Sequence, residues 1–275
     1  MYHVWPGNNV FFFGGRLVCG PDPRGLLLTT MAISLSSWIF ATYVANDIPA
    51  NSSVVIICSA VLVNLGTVSM TDPGIIPRND RSSLIDRSMR KTVDINGIEV
   101  RLKYCSICNI YRPPRTRHCV VCDNCVERFD HHCPWIGQCI GQRNYRLYII
   151  LLLTCLVFFA HIFAFSFQKI HHNMFPDDVG LMELLRNCPE TLALTSFSFA
   201  AAWFLGCLTC YHLYLVVLNQ TAYENFHQLY ARSRNPNDEG IFSNIMKFLC
   251  VSRPPSRINF RAEVIEHENL FPPSI

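Results

Sequence analysis

The sequence predicts an all-α membrane protein: four transmembrane helices with a cytosolic, zinc-stabilised, cysteine-rich module between helices 2 and 3. Three observations predict it. Half of the 275 residues are hydrophobic and only 16% are charged, against about a quarter in soluble domains. Four uncharged apolar runs cover residues 26–45, 52–70, 147–167 and 192–218. Seven of the 14 cysteines crowd into residues 105–139.

Residues 1–25 form a cytosolic lead of Pro, Gly and aromatic sequence, with the Phe11-Phe12-Phe13 cluster expected at the membrane interface. No cleavable signal is expected, because the first apolar run is too long and begins too late. Each apolar run reaches the roughly 20 residues that cross a hydrocarbon core of about 30 Å as helix. Helices of soluble proteins rarely stay apolar all round for so long. Helices 1 and 2 therefore occupy residues 26–71 as a hairpin. Asp72-Pro73-Gly74 stops the second, since Pro cannot continue it and Gly takes the turn. Residues 72–100 read as a cytosolic linker, 101–146 as the cysteine-rich module, 147–218 as helices 3 and 4, and 219–275 as a cytosolic tail. His161, inside the third run, is expected to hydrogen-bond neutrally between helices rather than to act.

Four crossings place both termini and the central segment on one side. Residues 72–146 carry 13 of the 23 Lys and Arg. The turn at 47–51 has none, and the loop at 169–190 has Lys169 and Arg186 against Asp177, Asp178, Glu183 and Glu190. The positive-inside rule puts the termini and the module in the cytosol, at endomembranes (ER, Golgi, vesicles) or the plasma membrane. Asn51-Ser52-Ser53 reads as a glycosylation sequon too close to the bilayer for use. Cytosolic thiols stay reduced, so metal binding or catalysis is expected of the cysteines rather than a disulfide framework. Cys19, Cys58, Cys155, Cys188, Cys207, Cys210 and Cys250 are scattered and read as packing residues, with Cys250 a candidate for lipid attachment. No nucleotide loop or nucleic-acid motif is present.

Within the module one spacing occurs twice. Cys105, Cys108, His118 and Cys125 step by three, ten and seven residues. Cys119, Cys122, His132 and Cys139 repeat those steps fourteen residues later. Each set suits a tetrahedral zinc ion closed by four protein ligands, which marks a structural site. The module is too short and too poor in aliphatic residues for a core of its own, so metal must supply its stability. Three thiolates and an imidazole leave each zinc site with a charge of about −1. Arg112, Arg115 and Arg117 balance it, with anionic lipid heads or a phosphorylated substrate as the other possible partners of this basic run.

Asp130, His131 and Cys133 remain outside both sets. A thiol with a neighbouring His as base, itself held by a carboxylate, is a nucleophile arrangement. On an extended backbone adjacent histidines point opposite ways, so His132 can face metal while His131 faces the thiol. The competing readings of Cys133 are a ninth, redundant ligand or a buried packing residue.

The Asp130-His131-His132-Cys133 run resembles the signature of the DHHC family of protein S-acyltransferases (palmitoyltransferases), in its plant-like branch. Pro113, Arg115, Pro134, Trp135, Gly141 and Asn144 fit the same pattern. So do Asp72-Pro73-Gly74 after the second helix, Thr221-Ala222-Tyr223-Glu224 after the fourth, and Asn244 in the tail. The resemblance implies a ping-pong transfer. Cys133 attacks palmitoyl-CoA with His131 as base and Asp130 orienting it, then passes the chain to a membrane-proximal cysteine of a substrate protein. The acyl chain would lie among the four helices. Two positions depart from the family pattern: Gln138 stands where an asparagine is usual, and Ala222 replaces the second threonine of its motif. That threonine is expected near the catalytic carboxylate, so loss of a supporting bond would lower activity. The alternative functions are a catalytically weak or inactive zinc-module adaptor, and a metal transporter. A transporter would need polar groups inside the helices, where His161, Asn64 and a few hydroxyls are found.

Overall fold

The computed structural model describes residues 1–45, 51–79, 91–174 and 180–262. Most of the expected 47–51 turn, and parts of the linker, the 169–190 loop and the tail, lie outside them. Among the described residues there are seven α-helices: α1 (Arg24–Ile39), α2 (Asn51–Ser69), α3 (Tyr145–Met174), α4 (Leu181–Asn187), α5 (Pro189–Val217), α6 (Ala222–Phe226) and α7 (Ile241–Cys250). A π-helical turn, Phe40–Val44, continues α1. Among the described residues three helical spans are long and apolar enough to cross a membrane: Arg24–Val44, Tyr145–His172 and Pro189–Val217. At the second expected crossing the apolar helix is shorter, Ser53–Ser69.

Helix α3 lies centrally, against α5 and α2. Phe40, Val54, Val61, Leu65, Phe158 and Ile162 are buried in this core. The outward faces stay apolar: Leu27, Met31, Trp38, Ile56, Val63 and Trp203 are all exposed. Apolar residues on both the inner and outer faces suit a helix in lipid rather than in water. His161 meets the Ser53 hydroxyl of α2 through Nε2 at 3.2 Å, the interhelical bond expected of it.

The cysteine-rich module is not helical, which corrects the all-α expectation. It is built of antiparallel hairpins with short strands, β5/β6 (Lys103–Cys105, Ile110–Arg112), β7/β8 (Arg117–Cys119, Asn124–Val126) and β9/β10 (His131–Cys133, Gln138–Ile140). Two more hairpins precede them. β1/β2 (Val10–Phe12, Leu17–Cys19) lies in the lead, and β3/β4 (Thr92–Ile95, Ile98–Arg101) lies in what reads as linker. Asn96 and Gly97 turn β3 into β4 with φ of 51° and 77°, the left-handed pair that a two-residue hairpin turn requires. The lead is also more than an interfacial segment. Phe11 stacks against Trp5 and Phe260, and only Phe12 and Phe13 of the cluster are exposed.

Backbone contact fixes the β9–β10 turn on the start of α1. A Cβ on Gly25 would lie 1.8 Å from the Pro134 carbonyl oxygen, and one on Gly20 would lie 1.9 Å from that of Gly137. The Thr29 hydroxyl donates to the Trp135 carbonyl at 2.9 Å. Gln138, fully buried, donates Nε2–H to the Val18 carbonyl at 2.7 Å, joining β10 to β2. Asp72 ends α2 by accepting from the amides of Gly74 and Ile75, both at 2.9 Å, and pairs with Arg143 at 2.7 Å.

Gly25→Ala tests this docking. Alanine is the better helix former by about 1 kcal/mol, yet the clash with Pro134 is expected to reverse the sign, to a net loss of about 1–3 kcal/mol. Thermal unfolding in detergent, followed by tryptophan fluorescence, measures it.

Candidate active site and metal centres

The fourteen-residue repeat is a repeated hairpin. Cys105 pairs with Ile110, Cys119 with Asn124 and Cys133 with Gln138 at the same register in the three hairpins. Each turn carries a left-handed residue at the same place: Asn109 (φ 52°), Asp123 (φ 51°) and Gly137 (φ 68°). In the first two, both cysteines of the CxxC lie at the turn. The matching His–Cys pair comes from directly opposed positions in the next hairpin: His118 with Cys125, and His132 with Cys139. The first set thus joins β5/β6 to β7/β8, and the second joins β7/β8 to β9/β10. Alternation along a strand sends neighbours to opposite faces, so His118 and Cys119 serve different sets. The third hairpin keeps the first knuckle cysteine, as Cys133, but has Ile136 where the second would stand, and α3 follows it.

Each set brings its four ligand atoms within 4.8 Å of one another, a grouping able to hold a metal ion. His118 Nδ1 lies 3.4 and 3.9 Å from the sulfurs of Cys108 and Cys125. His132 Nδ1 lies 3.4–3.7 Å from those of Cys119, Cys122 and Cys139. Tetrahedral zinc with its usual bond lengths has S–N edges of about 3.6 Å and S–S edges of about 3.8 Å. Behind the first set, His118 Nε2 meets Asp123 at 3.3 Å and Asp123 pairs with Arg78 at 2.8 Å. This is the carboxylate support that fixes the orientation of a metal-bound histidine. The donor sets fit zinc.

Cys133 lies outside both four-ligand groups. Period-two alternation along β9 puts it on the same face as His131, away from His132. Asp130 is 2% exposed and contacts His131 Nδ1 through Oδ2 at 2.7 Å. The other imidazole nitrogen remains for the Cys133 thiol, two residues along the same strand. Burial pushes the imidazole pKa down, but the Asp130 carboxylate and the Cys133 sulfur beside it outweigh burial and hold His131 at about 9.

The other oxygen of Asp130 accepts the backbone N–H of Ala222 at 2.7 Å. The missing threonine hydroxyl therefore leaves this carboxylate supported. Thr221 and Glu224 cap α6 reciprocally, each side chain taking the other's amide. Arg115 holds Glu224 in a bidentate pair at 2.9 and 2.7 Å and donates to Asn219. Arg117 lies over the Tyr223 ring, 4.4 Å from its centroid. Two of the three arginines assigned to balancing zinc charge thus clasp the module to the segment after α5. Asn244, 3% exposed, ties α7 to the end of α5 through the Val217 carbonyl at 2.8 Å.

Cys133 opens onto an apolar cavity of about 510 Å³ lined by α1, α2, α3 and α5. Ile33, Leu65, Leu152 and Leu205 form its walls. Phe159 and Phe197, in edge contact at 5.7 Å, lie at the end away from Cys133. Tyr148 stands beside Cys133 at the mouth, bonded to a buried His212 of α5. Sequence reading singled out His161 of the third apolar run but missed His212 of the fourth.

A family profile described as DHHC palmitoyltransferase matches residues 98–229. Three Arabidopsis thaliana proteins are similar over nearly the whole chain. "Probable protein S-acyltransferase 5" is 40% identical, over 99% of this chain and 63% of its own length. "Probable protein S-acyltransferase 7" is 39% identical, over 99% and 68%. "Protein S-acyltransferase 8" is 38% identical, over 97% and 73%. The chain spans about two thirds of the length of these curated relatives.

Glu224→Ala is expected to cost about 3–5 kcal/mol, because it leaves buried Arg115 without its partner. It also removes the bond that closes the Thr221 cap. Unfolding midpoints of wild type and variant measure the loss, with the zinc content of the folded fraction unchanged.

Proposed function

The chain belongs to the DHHC palmitoyltransferase family, and on that premise we propose that it moves a fatty acyl group from acyl-CoA through Cys133 to a cysteine of a substrate protein. The observation that carries this is one sulfur with two neighbours: a carboxylate-held imidazole on its own strand, and an apolar cavity between helices.

Cys105, Cys108, His118 and Cys125 hold one zinc ion, and Cys119, Cys122, His132 and Cys139 a second. Bound there, zinc supplies structural cross-links between hairpins. In the first half-reaction the Cys133 proton rests on His131, whose raised pKa favours the thiolate–imidazolium pair, and the thiolate attacks the thioester carbonyl carbon of palmitoyl-CoA. The carbon–sulfur bond to coenzyme A breaks, and His131 returns the proton to the departing thiolate. In the second half His131 takes the proton of the substrate cysteine, whose sulfur attacks acyl-Cys133. The Cys133 thiolate leaves and is reprotonated. Asp130, fixed by Ala222 N–H and His131 Nδ1, keeps the imidazole in the working tautomer through both halves.

The chain lies in the cavity while the coenzyme stays on the module side. From Tyr148 to Phe159 the helix advances about 16 Å at 1.5 Å per residue, a span suited to a long-chain acyl group. Burial worth about 0.8 kcal/mol per CH₂ favours such a chain. The four apolar helices cross the bilayer, with α2 completing the set, and the module and both termini face the cytosol. Substrate cysteines are then those close to the cytosolic membrane surface. Of the competing functions, the adaptor predicts no chemistry at Cys133.

Incubation of the purified protein with labelled palmitoyl-CoA in detergent tests the reading. Wild type is expected to take up hydroxylamine-sensitive label and Cys133→Ser none. Absence of label from both, with zinc retained, would favour the adaptor. Phe159→Ala opens the far end of the cavity and is expected to shift acyl preference toward chains longer than palmitoyl, read by competition among acyl-CoAs of graded length.

A further inference from the structure

His212 is a histidine buried inside a membrane-crossing helix, 2% exposed, and the transfer derived above does not use it. An ionisable side chain at such a place calls for a functional account. Both ring nitrogens are engaged: Nδ1 with the Tyr145 hydroxyl at 3.2 Å and Nε2 with the Tyr148 hydroxyl at 3.3 Å. An imidazole with one N–H donates to one phenol and accepts from the other, so both tyrosines are tied to one rigid ring. The tyrosines are three residues apart in the first turn of α3, hence on one face.

Tyr148 then meets the catalytic pair. Its ring stands edge-on to His131 at 5.3 Å and 67°, an attractive aromatic geometry. The same ring lines the apolar cavity beside Cys133. His212 itself lies 5.0 Å from the Tyr148 ring and 6.1 Å from that of His131. His131 is therefore held on one edge by Asp130 and faced by Tyr148. Without a bond at its hydroxyl, Tyr148 could turn into the cavity and leave His131 without that wall.

We propose that Tyr145, His212 and Tyr148 form a positioning cluster that fixes the His131 imidazole toward Cys133. His212 acts through Tyr148 and touches neither the thiol nor the acyl donor. The proposal rests on the reading of Cys133 and His131 as the transfer site.

The test compares single-turnover acylation of Cys133 by palmitoyl-CoA in wild type, His212→Leu, His212→Gln and Tyr148→Phe. Zinc content and unfolding midpoint are measured on each preparation. Misplacing a reacting group by about 1 Å costs up to about 100-fold, so His212→Leu is expected to slow the saturated rate about 10- to 100-fold. Its half-saturating palmitoyl-CoA concentration should stay within about twofold, as expected when only the reacting geometry is lost. Tyr148→Phe keeps the ring and loses one hydrogen bond, for a fall of about 3- to 10-fold. His212→Gln keeps a donor and an acceptor and should recover most of the rate. A His212→Leu protein that acylates at the wild-type rate overturns the proposal. So do leucine and glutamine variants that are folded and equally slow. Should His212→Leu fail to fold, Tyr148→Phe decides, and a wild-type rate there overturns it. Wild type that takes no label at Cys133 would instead overturn the assignment of the transfer site.

Discussion

The grouping of four Cys and His ligands across neighbouring hairpins, twice over, is the constraint on which the module depends. Each hairpin has two strands of three residues, and a lone hairpin of this kind is marginal in water at best. The two ligand sets chain three of them together: the middle hairpin gives its turn cysteines to one set and its opposed His–Cys pair to the other. The apolar clusters within the module consist largely of the ligand cysteines themselves. The position of Cys133 follows from this chain, because the last hairpin is aimed by His132 and Cys139 while its free turn faces α1.

A second layer joins the module to the helices. Arg115 reaches Glu224, Asp72 reaches Arg143, and Gln138 reaches the Val18 carbonyl. These contacts lie at the ends of α5, α2 and the lead, so every segment entering or leaving the bilayer region is registered against the same small scaffold. Asp130 stands where the scaffold and the segment after α5 meet, one oxygen to each side. The acyl cavity begins one residue pair away, between surfaces already fixed by the helices.

How much of this the sequence revealed depends on what kind of signal each residue leaves. The ligand sets were legible because metal geometry imposes fixed spacing, and Cys133 because spacing left it over. The apolar runs located four apolar helices, three of which are long enough to cross a membrane, since lipid demands length. The hairpins were not legible as strands: three residues give no alternation to count, and ligand cysteines replace the usual β-formers. Asn96-Gly97 is a hairpin-turn dipeptide, but the stretch around it was read only as a polar linker. Ala222 looked like a lost bond because its amide, which every residue but proline carries, makes the contact. Gln138 looked like a departure, yet its longer side chain finds the Val18 carbonyl. His212 of the fourth apolar run was missed, although His161 of the third was singled out.

Recruitment of a main-chain amide by Asp130 has an evolutionary consequence. A bond drawn from the backbone does not depend on which codon occupies the site. Alanine at the position after Thr221, where the family pattern has threonine, thus still serves the carboxylate, and proline alone would remove the donor. The turn that presents this amide is held by Thr221 and Glu224 rather than by the side chain of the residue that makes the contact.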